Sequence, residues 1–296
     1  MKTTSLLNNS VITGTICAGA TLFMAAGASA QQLYESEQYT GAINTFNLAG
    51  VATTFVSSSQ PLGEYLAFDN SGDLFVGNNS GPTITKITPN GTASSFGFGF
   101  NEPAGVAVNS AGDVFVANEG NGEIIEVSPN GTSESLFASG LDNPLFLTFN
   151  SQGDLFESDW DSGNIYEFAP NGTRTLFASG FNKPGTLAFN SAGDLFVANN
   201  DNNNNGRVSE ITPSVTSTII SLNDPQEMAF NNAGDLFIAN PQSGNIVEVT
   251  STGASVFSTQ VNSPIGLAFA PVPEPSTLAL LAVGISAVAL RLRRKQ

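Results

Sequence analysis

The chain has 296 residues, with 25 acidic and 9 basic side chains, no His, one Cys and a formal charge of −16. The missing His excludes an imidazole general base, Ser-His-Asp or Cys-His pairs and imidazole metal ligands. A lone Cys excludes a disulfide framework and thiolate zinc sites, while an apolar share of 41% that includes 22 Phe suits a globular core.

In chain order, residues 1–30 read as a secretory signal peptide. Lys2 begins it, Val11 to Ala26 is mostly apolar, and Ala28-Ser29-Ala30 is a small-x-small cleavage site that leaves Gln31 at the mature start. Cys17 follows Ile16, which is not the small residue that a lipoprotein signal requires.

Beyond this segment the chain repeats. Gly72-Asp73-Leu74-Phe75 recurs as Gly112-Asp113-Val114-Phe115, Gly153-Asp154-Leu155-Phe156, Gly193-Asp194-Leu195-Phe196 and Gly234-Asp235-Leu236-Phe237, at Asp spacings of 40, 41, 40 and 41. About one period earlier, Leu33-Tyr34-Glu35-Ser36 matches Leu155-Phe156-Glu157-Ser158, which makes six units. A period near 40 with several short strands per unit predicts an all-β fold, a six-bladed β-propeller of four-stranded antiparallel blades over residues 31–270.

Within a unit, the first strand ends as in Leu187-Ala188-Phe189-Asn190, and the turn Asn190-Ser191-Ala192-Gly193 leads into the second, Asp194 to Ala198. The third is typified by Ile124-Ile125-Glu126-Val127 and ends at Pro129-Asn130-Gly131-Thr132, read as a two-residue Asn-Gly hairpin. The same signal stands at Asn90-Gly91 and Asn171-Gly172, so the Asn-Gly-Thr triplets read as turns rather than glycosylation sites. The fourth strand is typified by Ser135-Leu136-Phe137. Strands this short leave no room for crossover helices.

The first unit lacks a first strand, and the last segment, Pro264-Ile265-Gly266-Leu267-Ala268-Phe269, is a first strand with no second strand after it. It is expected to pair with residues 33–55 and close the ring, removing an open edge.

The C-terminus carries Pro273-Glu274-Pro275, an apolar run from Leu278 to Leu290, and Arg291, Arg293, Arg294 and Lys295. As a helix, Ser276 to Leu290 rises about 22 Å, short of a hydrocarbon core of roughly 30 Å. The tail resembles the PEP-CTERM sorting signal. That resemblance implies recognition and cleavage by an exosortase in a Gram-negative bacterium, delivery to the surface or exopolysaccharide matrix, and membrane anchoring through the C-terminal helix before processing. Without residues 1–30 and 271–296 the chain keeps 24 acids and 4 bases, a charge of about −20. That balance disfavours nucleic acid and anionic membrane as partners and favours cations or simple solubility.

The units resemble NHL-type repeats, carried by Pro103-Ala104-Gly105-Val106-Ala107-Val108, Gly112 to Asn118, and Gly122-x-Ile124, in a class of propellers that also holds gluconolactonase-like hydrolases. The resemblance implies that first strands line a central channel, starting on the face that carries the loops between strands two and three. Two sets of residues stand there. The first is Glu64, Ala104, Leu145, Gly185, Gln226 and Ile265, from which the gluconolactonase-like pattern of a divalent metal on Glu, Asn and Asp keeps only Glu64. Glu64 with Gln226 and Glu227 is the candidate metal set, for Ca²⁺, which needs about six oxygens. Virginiamycin lyase-like propellers use a His that this chain lacks.

The second set, Glu37, Asn78, Asn118, Asp159, Asn199 and Asn240, follows strand two and reads either as local loop closure or as a polar ligand ring. Trp160, the only Trp, and the longer loop of Asp201 to Asn205 depart from the repeat on the same face. Trp160, Asp159, Tyr65, Asn118 and Asn199 are therefore the candidate ligand-binding residues, and stacking of Trp160 on a sugar ring stands beside packing on the next blade. Asp69-Asn70-Ser71-Gly72-Asp73 has a partial calcium-loop pattern and reads as a hairpin turn. The function expected is a surface binding or matrix module with a polysaccharide or surface protein as ligand. The alternative is a metal-dependent lactonase-like hydrolase with its site in the channel.

Overall fold

The computed structural model describes residues 31–57, 63–200, 206–212 and 215–272. The signal-peptide expectation, with Ala28 and Ala30, the sorting motif Pro273, Glu274 and Pro275, the C-terminal helix and the loop from Asp201 to Asn205 lie outside the described residues. Among the described residues no helix is long and apolar enough to cross a membrane.

Among the described residues twenty-four strands form six sheets of four. Blade 1 takes β1 (Leu33–Glu37), β2 (Ile43–Phe46) and β3 (Ala52–Val56). Blade 2 is β4 (Leu66–Phe68), β5 (Leu74–Val76), β6 (Ile84–Ile87) and β7 (Ala93–Phe96). Blade 3 is β8 (Pro103–Val108), β9 (Val114–Asn118), β10 (Glu123–Val127) and β11 (Glu134–Ser139). Blade 4 is β12 (Pro144–Phe149), β13 (Leu155–Asp159), β14 (Asn164–Phe168) and β15 (Arg174–Ser179). Blade 5 is β16 (Pro184–Phe189), β17 (Leu195–Asn199), β18 (Arg207–Ile211) and β19 (Thr216–Ser221). Blade 6 is β20 (Met228–Phe230), β21 (Leu236–Asn240), β22 (Asn245–Thr250) and β23 (Gly253–Ser258), and β24 (Pro264–Phe269) follows.

β24 pairs antiparallel with β1, Leu33 opposite Phe269 and Glu35 opposite Leu267, and gives blade 1 its missing first strand, as the sequence led us to expect. The first strands β24, β4, β8, β12, β16 and β20 each touch the next in order, and β20 touches β24, so they form a closed inner ring.

The Gly-Asp-apolar-Phe unit has a physical reason at each position. Asn109, the residue closing the first strand, accepts the Ala111 and Asp113 N–H groups (2.9 Å each) on its side-chain oxygen and donates through Nδ2 to the Asp113 carboxylate at 3.0 Å. The same closure recurs at Asn150, Asn190 and Asn231. The Phe enters the seam between blades: Phe115 meets Phe137 of its own fourth strand and Phe149 of the next first strand edge-on, at 5.0 and 5.2 Å. Phe156 repeats this with Phe177 and Phe189, and Phe237 with Phe257 and Phe269. Each such edge contact adds about 0.5–1.5 kcal/mol beyond area burial.

The Asn-Gly turns differ from the expectation. Gly91, Gly131 and Gly172 donate to the carbonyls of Thr88, Ser128 and Ala169, and the Gly has positive φ (83°, 71° and 79°) while the Asn does not. The loop is thus Pro-Asn-Gly, a type I turn with Gly in the left-handed position. The Pro at its second residue presets the φ of that turn, which is why the two-residue form does not occur.

Candidate functional site

The site is built where the first strands begin. In blades 1, 3, 4 and 5 the leading loop is stitched to the end of the second strand. Asn118 Oδ1 accepts the Asn101 N–H at 2.6 Å, Asp159 Oδ2 the Asp142 N–H at 2.8 Å, Asn199 Oδ1 the Asn182 N–H at 3.0 Å and Glu37 Oε1 the Asn262 N–H at 3.1 Å. Main-chain bonds reinforce the stitch, with the carbonyls of Glu102, Lys183 and Ser263 accepting N–H groups of Glu119, Asn200 and Gln38 at 3.1, 3.2 and 3.2 Å. Those three carbonyl-bearing residues each precede a proline and hold positive φ, 54°, 55° and 72°, a strained conformation for a side-chain-bearing residue.

Asn118, Asp159 and Asn199 are accordingly buried, with these oxygens occupied. They close the leading loop rather than only the loop that follows, although Asp159 Oδ1 also accepts the Ser162 N–H at 3.1 Å. The residues that reach the channel lie one position later: Gln38, Asn79, Glu119, Trp160 and Pro241. They meet Glu64, Leu145, Gln226 and Ile265 from the starts of the first strands, together with Tyr65 and the loop residues Asn143 and Asp224, around a cavity of about 260 Å³. Of the sequence-expected residues, Glu64, Gln226, Tyr65 and Trp160 converge on this mouth, and Asp159, Asn118, Asn199 and Glu227 do not. Gln38, Asn79, Glu119, Asn143 and Asp224 escaped the sequence reading. The signal that would have found Asn143 and Asp224 is their place immediately before Pro144 and Pro225.

A buried aromatic pair backs the mouth. Tyr65 and Phe146 meet edge to face at 5.5 Å, and both are buried. The Glu227 carboxylate, 1% exposed, accepts the Leu267 N–H at 2.7 Å and the Leu66 N–H at 3.2 Å, tying blade 6 to the inner strands of blades 1 and 2. Gly266 makes the close approach possible: a Cβ there would stand 2.3 Å from the Glu64 carbonyl oxygen and 2.4 Å from Ser36 Oγ.

Desolvation dominates the electrostatics. Burial pushes the Glu64 carboxyl up from its usual range. It does the same to Glu119, opposed by a hydrogen bond from Asn143 and reinforced by Glu102, Glu64 and Asp161. Burial raises the Tyr65 phenol well above its ordinary value, and Glu64, Glu227, Glu119 and Asp224 add to the rise, so all four carboxylates bear on one hydroxyl. Burial also lifts Glu227, against the two backbone donors that favour its charged form.

The candidate metal set does not fit Ca²⁺. The Glu227 carboxylate is turned away onto backbone N–H groups, and the Gln226 amide donates to Asp224 Oδ1 at 2.9 Å. Glu64 alone of the three presents a free carboxylate at the mouth, far short of about six oxygens. Among the described residues no group of three or more His, Cys, Asp or Glu side chains is arranged to hold a metal ion.

Trp160 packs on the next blade, one of the two readings set out for it. It lines the cavity, and its ring edge lies over blade 5, where a Cβ on Gly185 would be 3.9 Å from it. Lys183 Nζ stands 5.2 Å from the ring centroid, a cation–π contact.

Residues 271–295 match the PEP-CTERM protein-sorting motif, and residues 100–125, spanning β8 and β9, match the NHL repeat. The sorting motif indicates handling by an exosortase-type enzyme and sorting to the surface of a Gram-negative cell. No curated protein matches the chain in sequence. Among solved structures it is similar to a chain of a nidogen/laminin complex, at 18% identity and a TM-score of 0.72, covering 82% of this chain and 99% of that one. It is also similar to virginiamycin B lyase from Staphylococcus aureus, at 18% identity and a TM-score of 0.60 over 81% and 87% of the two chains. A putative gluconolactonase shares 15% identity and a TM-score of 0.57 over 71% and 86%. At these identities the likeness shows the propeller fold alone. The chain is a six-bladed β-propeller that carries an NHL repeat and ends in a PEP-CTERM sorting motif.

Proposed function

We propose that the chain is a surface-sorted binding module whose ligand seat is the mouth of the propeller channel, and that its ligand is a matrix polysaccharide. One observation carries the reading: the only Trp of the chain lines, with Tyr65, a cavity of about 260 Å³ ringed by polar side chains from five blades and backed by the buried Tyr65–Phe146 pair. A concave, preformed site with aromatic walls and a few convergent polar groups is the usual form of a small-ligand site, and this volume suits one sugar ring of a longer chain. The sorting motif supports the reading by sending the module to where such a polymer is met.

The test is binding of the full chain to exopolysaccharide from a Gram-negative matrix, measured on the immobilised polymer. Trp160→Ala abolishes retention, and Gln152→Ala, on the turn at the opposite face, leaves it intact. Retention that survives Trp160→Ala, or no retention of the unaltered chain, overturns the proposal.

A further inference from the structure

The charged groups that line the mouth are all acidic. Among the described residues Glu64, Glu119 and Asp224 line it with carboxyl groups, and no Lys or Arg side chain does. Two amide oxygens in its wall, Asn79 Oδ1 and Asn143 Oδ1, are shut off from solvent and accept no hydrogen bond. Some of the amide hydrogens nearby are already used: Gln226 Nε2 donates to Asp224 Oδ1 at 2.9 Å and Asn143 Nδ2 to Asp161 Oδ2 at 3.3 Å. Trp160 already holds one ammonium against its ring, that of Lys183. Buried acceptors call for donors, and carboxylates in a partly desolvated cavity call for positive charge.

We infer that the mouth selects an amine-bearing sugar, a hexosamine unit whose free amino group is protonated. An ammonium alone brings three donors to one spot, whereas the acceptors are spread over the walls of four blades. A hexosamine adds ring hydroxyl donors around its edge and lays an apolar ring face on Trp160.

This inference rests on the channel-mouth reading above, and its test separates the two. The full chain is titrated calorimetrically at pH 6.5 with three probes: a β-1,4-linked glucosamine trimer, its fully N-acetylated counterpart, and trilysine. The glucosamine trimer is expected to bind about tenfold or more tighter than either of the others, and Glu64→Gln or Glu119→Gln to reduce its affinity about fivefold or more at unchanged melting temperature. Equal or tighter binding of the N-acetylated trimer, still lost in Trp160→Ala, overturns the amine preference and leaves the binding-module reading standing. Trilysine binding as tightly as the glucosamine trimer overturns the saccharide assignment in favour of a basic peptide. Affinity unchanged in both Gln variants overturns the proposal as well. Failure of all three probes, with matrix polysaccharide still retained through Trp160, overturns the inference alone; failure of the polysaccharide too overturns both.

Discussion

Glu35 and Glu157 sit at the middle of the second strand in blades 1 and 4, where the other blades carry Val76, Val116, Val197 and Ile238. Both are 0% exposed. Glu35 Oε2 accepts a hydrogen bond from Asn44 at 2.9 Å but Oε1 accepts none, and neither oxygen of Glu157 has a partner. Burial pushes Glu35 up to about 8, despite the Asn44 bond, and lifts Glu157 well above the carboxylate range, with Asp159 adding to the rise and Arg174 opposing it. Folded protein therefore binds more protons than unfolded chain between pH 4.5 and 8, and these groups make stability fall as pH rises through that window. Replacing Glu157 by the Val of the other blades should raise stability above pH 7 by about 1–4 kcal/mol and flatten its decline with pH. Urea melts at pH 5 and pH 8 read this directly, and a variant destabilised at pH 8 would contradict it. The same pair shows where single residues were legible: Glu35-Ser36 and Glu157-Ser158 stood out as a match in the sequence. Their serines turn out to stitch blades together, Ser36 Oγ donating to the Glu64 carbonyl at 2.8 Å and Ser158 Oγ to that of Gly185 at 2.6 Å.

At the scale of the hairpin, blade 2 departs from the repeat in two coupled places. Asp69 replaces the Asn that elsewhere donates to the turn Asp, and Lys86 replaces the Glu found at 126, 167, 210 and 248. Lys86 then pairs with Asp73 at 2.7 Å and lies over the Phe75 ring. The partial calcium-loop pattern of this turn is thus a charge swap between neighbouring strands. Lys86→Glu should destabilise the chain by about 1–2 kcal/mol, and adding Asp69→Asn should recover at least half, because the amide again satisfies Asp73. Thermal melts of the two singles and the double variant close the cycle; purely additive losses would contradict it. The repeat, its strand order and its aromatic seams were legible because period, turn chemistry and Phe placement are all local. The mouth was displaced by one residue. Asn118, Asp159 and Asn199 have the residue types of a ligand ring, but their side chains are claimed by N–H groups of the leading loop, a pairing that depends on where that loop lies in space. Glu119 and Trp160, the next residues along, are left to face the channel.

At the scale of the whole molecule, blade 1 is closed by β24, far away in sequence, and the closure and the mouth share atoms. Gly266 lies on β24 opposite Ser36, whose hydroxyl accepts the Gly266 N–H at 3.0 Å and donates to the carbonyl of Glu64, a mouth residue. A Cβ at position 266 meets both partners too closely for either to stay. Gly266→Ala should therefore lower stability by about 1–3 kcal/mol and weaken ligand binding together, whereas Gly140→Ala, where a Cβ meets nothing within 4 Å, should change stability only through its left-handed φ of 72° and leave binding alone. Intact binding in a destabilised Gly266→Ala variant would separate the clasp from the site.

Because the chain contains a single Trp and that Trp stands in the mouth, its fluorescence reports the site with no label. Titration of the full chain with fragments of matrix polysaccharide should give a saturable change in Trp160 emission with matching protection from acrylamide quenching. Saturable binding of the same fragments, followed calorimetrically, that leaves the emission and quenching of Trp160 unchanged would place the ligand elsewhere and contradict the account.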